Sequence, residues 1–274
     1  MKIPLAGVIG CPVGHSRSPI LHGTWLRAHG LRGHYVPLHV EPGDLPAVLR
    51  AMPAMGFVGA NVTLPHKEAA LALADHASDV ARKIGAANTL SFADGQIFAD
   101  NTDAYGFIQN LRAGVPEWQA TAGPALVLGA GGAARAVLVA LAEAGVTEIV
   151  LANRTRARAE ELAAVLDAPI TVLDWADYPA ALPRAALVVN TTSLVIAGHA
   201  ALGLDSSMLR REAVVTDIVY TPLETPLLHD ARARGCRVVD GLGMLVHQAV
   251  PGFERWFGLR PEVTEDLRRA VLAG

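Results

Sequence analysis

Of 23 lysines and arginines only Lys2, Lys67 and Lys83 are lysine, and one of the three stands where a structural lysine is poorly placed. Lys67 closes the run Asn61-Val62-Thr63-Leu64-Pro65-His66-Lys67, in which an apolar strand leads into a helix opened by Pro65. There the positive end of the helix dipole opposes an ammonium. The same field favours the neutral amine, a state suited to proton transfer and closed to arginine. Asp103 follows Asn101-Thr102 at the start of another helix. Taken alone it reads as a first-turn acid satisfying the dipole. If the sheet brings it opposite Lys67, the two form a proton relay for the alkoxide that develops when a hydride reaches a ketone. In His15-Ser16-Arg17-Ser18-Pro19 the Ser16 and Ser18 hydroxyls would point the same way from an extended segment and grip a carboxylate together, although helix capping alone accounts for Ser18. The ten histidines show no HExxH or clustered Cys/His pattern, so no metal is expected.

A hydride needs a carrier, and the stretch from Ala125 to Arg154 supplies the elements to hold one. Apolar Ala125-Leu126-Val127-Leu128 runs through Gly129-Ala130-Gly131-Gly132-Ala133-Ala134 into an Ala/Leu-rich helix, and Glu148-Ile149-Val150-Leu151-Ala152 reads as the next buried strand. In such a βαβ unit Gly129 permits the sharp turn, Gly131 lets a pyrophosphate approach the backbone, and Ala134 packs helix on strand. Where an NAD site places an acidic side chain, this chain has Asn153-Arg154-Thr155-Arg156-Ala157-Arg158. Arg154 and Arg158, four apart at a helix start, share a face and clamp a 2′-phosphate, which points to NADP. A solvated basic face partnered by Glu160 and Glu161 is the plainer alternative.

The rest of the chain must position these groups. With 274 residues, half of them hydrophobic, and a net charge of −3, it has core enough for two α/β domains and no basic excess to suggest nucleic acid. The N-terminal run to Cys11 is interrupted by Pro4 and Gly7 and reads as a buried strand instead of a signal, and no run is long enough for a membrane span. Cys11 and Cys236 are expected as two buried thiols in a reducing, cytoplasmic setting. Strands over 3–10, 34–40 and 57–63 alternate with helices over Pro19–His29, with Ser18 as N-cap, and 43–55. A hairpin joins Asn88–Phe92 to Gln96–Asp100, so one strand of a mostly parallel sheet runs antiparallel. Further strands fall near 170–173, 186–190, 213–217 and 237–239, and two final helices have no strand left to feed. The expected domains are therefore 1–104, a mostly parallel α/β domain; 105–240, a Rossmann-type domain; and 241–274, helices that return to pack on the first.

Taken together, Ser16-Arg17-Ser18-Pro19, Asn61 through Lys67, Gly85-Ala86-Ala87-Asn88-Thr89, Asn101-Thr102-Asp103, the Gly129 loop, Asn153-Arg154-Thr155 and Gly241 through Gln248 resemble the shikimate dehydrogenase family over nearly the whole chain. The resemblance implies reversible NADPH-dependent reduction of 3-dehydroshikimate to shikimate in aromatic amino-acid biosynthesis. It implies that Lys67 and Asp103 are the catalytic pair, that Ser16 and Ser18 hold the substrate carboxylate, that Thr63, Asn88, Asp103 and Gln248 bind its hydroxyls, and that Tyr220 lines the site. It further implies a cofactor set of Gly129, Ala130, Gly131, Gly132, Ala133, Asn153, Arg154, Thr155, Arg158, Thr191, Thr192, Ser193, Ile218, Gly241 and Met244, with Asn190 beside them. After Thr192-Ser193 the family continues with a glycine and a methionine one residue on, whereas this chain has Leu194-Val195-Ile196. If that glycine requires positive φ, the exchange costs roughly 1–3 kcal/mol.

Three rivals share parts of this pattern. A quinate/shikimate dehydrogenase with broader substrate or NAD use differs only near Ser16 and Ser18. A non-catalytic NADP sensor would have lost Lys67 or Asp103, and a folate-pathway dehydrogenase would lack the Ser16/Ser18 and Asn88 set. Assembly as monomer or homodimer stays open at this level.

Overall fold

The computed structural model describes residues 3–192, 202 and 204–274, which divide into two compact units, Met1–Thr102 with Val246–Gly274 and Asp103–Leu245. The divisions fall two residues before and five residues after the boundaries expected at 104 and 240. Asp103 thereby belongs with the second unit.

In the first unit the chain runs β1 (Leu5–Gly10), α1 (Ser18–Ala28), β2 (His34–His39), α2 (Leu45–Ala51), β3 (Phe57–Val62), α3 (Lys67–Leu73), β4 (His76–Ala77), α4 (Asp79–Ile84), β5 (Thr89–Ala93) and β6 (Gln96–Asp100). The sheet order is β2-β1-β3-β5-β6-β4, with β5 antiparallel to both neighbours and the other pairs parallel. Asp94 and Gly95, at φ 51° and 75°, close the β5–β6 hairpin, the geometry that an Asp-Gly pair favours. Two local readings need correction. Ser18 does not cap α1: it is the first helical residue, Arg17 before it is already helical at φ −84° and ψ −8°, and the Ser18 N–H donates to Ser16 Oγ at 3.3 Å. The pair thus sits on a turn, not on an extended segment. α3 begins at Lys67, with His66 at the cap position, two residues later than Pro65 suggests.

The second unit contains α5 (Asp103–Gly114), β7 (Ala125–Leu128), α6 (Gly132–Glu143), β8 (Ile149–Ala152), α7 (Arg156–Val165), β9 (Ile170–Leu173), β10 (Leu187–Asn190), β11 (Val214–Asp217), α8 (Pro226–Arg234) and β12 (Arg237–Val239). Its strands are all parallel, in the order β9-β8-β7-β10-β11-β12, the doubly wound arrangement whose direction reverses between β7 and β10. β7, β8, β10 and β11 are buried throughout, which explains why they read as unbroken apolar runs instead of alternating ones.

α9 (Leu242–Phe257) and α10 (Glu265–Ala273) finish the chain, and from Val246 onward it belongs to the first unit. Trp256 of α9 is 5% exposed, and its Nε1 donates to Leu90 O at 3.0 Å. Gly59 of β3 makes room for that indole, because a Cβ there would overlap both Trp256 Nε1 and Leu90 O. Trp25 of α1 donates to Glu262 O at 3.0 Å and fastens the segment before α10. Of the two thiols, Cys236 is buried as expected and Cys11 is only half-buried at the open end of β1. Among the described residues no helix is long and apolar enough to cross a membrane.

Candidate active site

In the first unit Ser16 and Ser18 follow β1, Thr63 and Lys67 follow β3, and Asn88 directly precedes β5, whereas Asp103 and Tyr220 belong to the second unit. Asn88 Oδ1 accepts from the Thr102 N–H at 2.8 Å, the Thr102 hydroxyl at 3.1 Å and the Thr89 hydroxyl at 3.0 Å. A backbone N–H can only donate, so the oxygen must face Thr102 and the amide nitrogen must face away. That nitrogen donates to Gln248 Oε1 at 3.2 Å. Both carboxamides are buried, at 2% and 8% exposure. Thr63 and Lys67 are half-buried at the end of β3 and the start of α3. The Lys67 carbonyl accepts from the Ala87 N–H at 2.8 Å, tying α3 to the segment that carries Asn88. Ser18 is buried and Ser16 half-buried beside it.

Behind this cluster lie groups that the sequence reading did not single out. Asn61 Nδ2 donates to Asn88 O and to Thr89 Oγ1, each at 3.2 Å, and Asn61 Oδ1 accepts from the Tyr35 hydroxyl at 2.7 Å. Burial pushes the Tyr35 phenol well above its usual range, so it stays a donor. The His22 ring stacks on Tyr35 with centroids 4.0 Å apart and planes 6° apart. Fully buried among aromatics, with neither ring nitrogen hydrogen-bonded, His22 has its pKa lowered by burial to about 3 and is neutral. No local spacing signals these residues. Only the pairing of β1 with β2 and β3 brings Tyr35 and Asn61 together, and the packing of α1 adds His22.

In the second unit Gly129, Ala130, Gly131, Asn153, Arg154, Thr191 and Thr192 line one cleft of about 160 Å³, together with Trp175, which the sequence reading missed. The cleft sits at the reversal point between β7 and β10. Gly129 has φ +107°, and a Cβ there would come within 2.6 Å of Thr191 Oγ1. The Thr191 hydroxyl in turn donates to Leu128 O at 2.8 Å. Beside Gly131 a Cβ would meet nothing within 4 Å, so that side of the loop is open to a ligand. Gly132 opens α6, with Ala133 half-buried in its first turn, presenting free N–H groups suited to an anion. Asn153 Oδ1 accepts from the Ala130 N–H at 3.2 Å, and its Nδ2 donates to Thr155 O at 2.8 Å. These residues fit a dinucleotide.

The arginines divide differently from the expectation. Thr155 is extended at φ −99° and ψ 96°, and α7 starts at Arg156. Arg154 therefore precedes the helix and faces the cleft from the turn, so it shares no helical face with Arg158. Arg156 pairs with Glu160 at 2.7 Å and Asp174 at 2.9 Å, as the plainer reading anticipated for this run. Arg158 and Thr155 are exposed and outside the cleft lining. Ile218 and Gly241 meet through their backbones, since a Cβ at Gly241 would overlap Ile218 O. Met244 is buried and Tyr220 half-buried in the same unit. Ser193 and Leu194-Val195-Ile196 lie outside the described residues.

One further polar centre supports the cleft. Asp217, fully buried at the end of β11, accepts from Asn190 Nδ2 at 3.0 Å, Thr225 Oγ1 at 2.9 Å and the Val219 N–H at 3.0 Å. Burial raises its pKa, and those three donors oppose the rise. Asn190 Oδ1 passes the order on, accepting from the Thr192 N–H at 3.0 Å and the Thr192 hydroxyl at 2.8 Å.

Sheet order and glycine turn make the second unit a Rossmann-type dinucleotide-binding fold, attached to an α/β unit with a buried polar cluster of its own. Residues 8–90 match the model of the shikimate dehydrogenase substrate binding domain, 117–218 that of shikimate / quinate 5-dehydrogenase, and 241–272 that of the shikimate 5'-dehydrogenase C-terminal domain. The chain belongs to the shikimate dehydrogenase family. It is 61% identical to shikimate dehydrogenase (NADP(+)) of Jannaschia sp. (strain CCS1), over 99% of this chain and 98% of that one. Among solved structures, the shikimate 5-dehydrogenase of Thermus thermophilus in complex with NADP(H) and shikimate is 39% identical with a TM-score of 0.86, covering 98% of both chains. The quinate dehydrogenase of Corynebacterium glutamicum in complex with NAD is 34% identical with a TM-score of 0.91, again over 98% of both.

Proposed function

We propose that this chain catalyses the reversible NADPH-dependent reduction of 3-dehydroshikimate to shikimate. The observation that carries this reading is the 61% identity, over nearly the full length of both chains, to a protein named shikimate dehydrogenase (NADP(+)). Bound NADPH supplies the hydride. The protein's own task is then to hold the keto acid and to deliver a proton to the oxygen that becomes an alkoxide. Lys67 and Asp103 are the residues assigned to that proton. Ser16 and Ser18 take the carboxylate, Thr63, Asn88, Asp103 and Gln248 take the ring hydroxyls, and Tyr220 lines the site. Since Asn88 Oδ1 is already filled by three donors, Asn88 meets the substrate as a donor through Nδ2.

The cofactor reading gives Gly129 through Ala133 the pyrophosphate, and Asn153, Arg154, Thr155 and Arg158 the adenosine 2′-phosphate. Thr191, Thr192, Ser193, Ile218, Gly241 and Met244 take the remainder. The labour is then divided unevenly: the first unit supplies Ser16, Ser18, Thr63, Lys67, Asn88 and Gln248 for the substrate, and the second supplies the cofactor residues together with Asp103 and Tyr220. Two free cysteines suit the reducing cytoplasm. We take the enzyme to act there with no metal in the reaction and no membrane or nucleic-acid partner, as monomer or homodimer.

The likeness to a quinate dehydrogenase bound to NAD favours a second reading with broader substrate or cofactor use. A single assay separates the two: purified protein with shikimate or quinate, each against NADP or NAD, following reduced nicotinamide. Turnover with shikimate and NADP well above the other three combinations is expected, and faster turnover of quinate or NAD would transfer the assignment. Lys67→Ala should depress kcat far more than it changes KM. A near-normal kcat in that variant removes Lys67 from the proton path.

A further inference from the structure

Strand register at the edge of the first sheet brings together a thiol, an imidazole and a carboxylate that the reaction above does not use. Gly10, the last residue of β1, is the ladder partner of His39, the last residue of β2. The Val40 N–H donates to Gly10 O at 3.2 Å, so pairing continues one residue further. Cys11 therefore leaves one strand beside the segment that carries His39 and Glu41. Glu41 is extended at φ −66° and ψ 148°, and residues two apart on an extended segment project to the same side. Cys11 Sγ lies 3.6 Å from His39 Nε2 and donates to Glu41 Oε2 at 3.5 Å, while His39 Nε2 lies 3.1 Å from Glu41 Oε1.

These separations match one face of a coordination tetrahedron. Zinc with sulfur at about 2.3 Å and nitrogen and oxygen at about 2.0 Å sets S···N and S···O edges of roughly 3.5 Å and an N···O edge of roughly 3.3 Å. The two carboxylate oxygens share the contacts here, and turning the soft terminal torsion of Glu41 presents one of them to both partners. Thiolate with imidazole selects zinc and its softer neighbours over magnesium or calcium. β2 is an edge strand, and the His39 and Glu41 side chains are 55% and 65% exposed, so the fourth position is open to water.

We propose that Cys11, His39 and Glu41 form a three-ligand binding site for a zinc-class divalent transition metal. The test uses tag-free full-length protein titrated with Co2+ and then Zn2+. One equivalent of Co2+ should produce a thiolate-to-metal charge-transfer absorption that one equivalent of Zn2+ removes and that excess Mg2+ leaves in place. Cys11→Ser should abolish the band, and His39→Ala, an exposed and structurally mild change, should weaken binding by at least the roughly tenfold that loss of an outer-shell partner alone costs. Cys236→Ser should leave both unchanged. Absence of the band in the unmodified protein, or a band that survives Cys11→Ser and disappears with Cys236→Ser, overturns the site.

Discussion

The carboxamide of Asn88 donates to that of Gln248 at 3.2 Å, joining two residues 160 apart in sequence. The orientation depends on Thr102, whose N–H and hydroxyl both hold Asn88 Oδ1. Thr102→Val keeps the shape and the backbone donor but removes the hydroxyl. The expected result is a rise in KM for shikimate with kcat little changed, and a loss in kcat/KM of roughly tenfold, corresponding to one hydrogen bond. Unchanged steady-state constants would show that Asn88 needs no such support.

His22 gives the fold an acid-sensitive point. Its folded pKa of about 3 lies below the usual 6.5, so between those values the unfolded chain binds the extra proton. The contribution to stability is full above pH 6.5 and drains away as pH falls toward 3, by up to ~1.4 kcal/mol per pH unit. His22→Phe retains the aromatic stack and lacks the proton site. Denaturant melts from pH 7 to pH 4 should therefore be flatter for the variant by about one proton's worth of slope. Parallel pH profiles would mean that His22 titrates normally.

Arg154 and Arg156 should separate cleanly in a cofactor assay. Arg154 lines the cleft, whereas Arg156 is occupied by Glu160 and Asp174. Arg154→Ala is expected to lower kcat/KM for NADP by roughly ten- to hundredfold, the span of one charged hydrogen bond, and to leave the slower NAD reaction alone. Arg156→Ala should alter neither. Equal effects of the two substitutions would argue for a diffuse basic surface.

Asp217 acts on the cleft through Asn190. Asp217→Asn would set an amide donor against Asn190 Nδ2. Asn190 must then rotate, which turns its own donor toward the Thr192 N–H. The predicted signature is a higher KM for NADP with the KM for shikimate unchanged, alongside destabilisation of about 1–3 kcal/mol from the unsatisfied buried groups. Calorimetric NADP binding and a denaturant melt measure the two effects separately.

Gly59→Ala tests the docking of α9. The added methyl would overlap the Trp256 indole and Leu90 O, and overpacking of this kind costs about 1–3 kcal/mol. A lowered thermal midpoint is expected. Wild-type melting would show that the indole has slack at this position.

Elements whose evidence is local could be read from the chain alone. The Gly129 turn between two apolar runs, the Asp94-Gly95 hairpin and the amphipathic α9 and α10 each carry their signal within a few residues. What escaped was either a matter of one residue's backbone or of register. The extended φ and ψ of Thr155 put Arg154 outside α7, and a helical Arg17 turned Ser18 from cap into first helical residue. Tyr35 and Asn61 meet only after β1 pairs with β2 and β3, Asn88 joins them only when β5 pairs with β3, and Trp175 reaches the cleft only once β9 lies beside β8. No window of sequence contains that information.

The first unit draws on both ends of the chain, with residues 246–274 completing what residues 1–102 begin. On the ribosome the usual order, earlier domain first, is therefore reversed. The middle segment, 103–245, is whole as soon as it emerges, while Gly59 and Leu90 wait for Trp256, which is made only after that segment. A chain cut short between Val246 and Trp256 would carry a finished nucleotide-binding module tethered to a sheet whose six strands are all present but whose Gly59 and Leu90 lack their cover, the kind of nascent product that chaperones and proteases intercept.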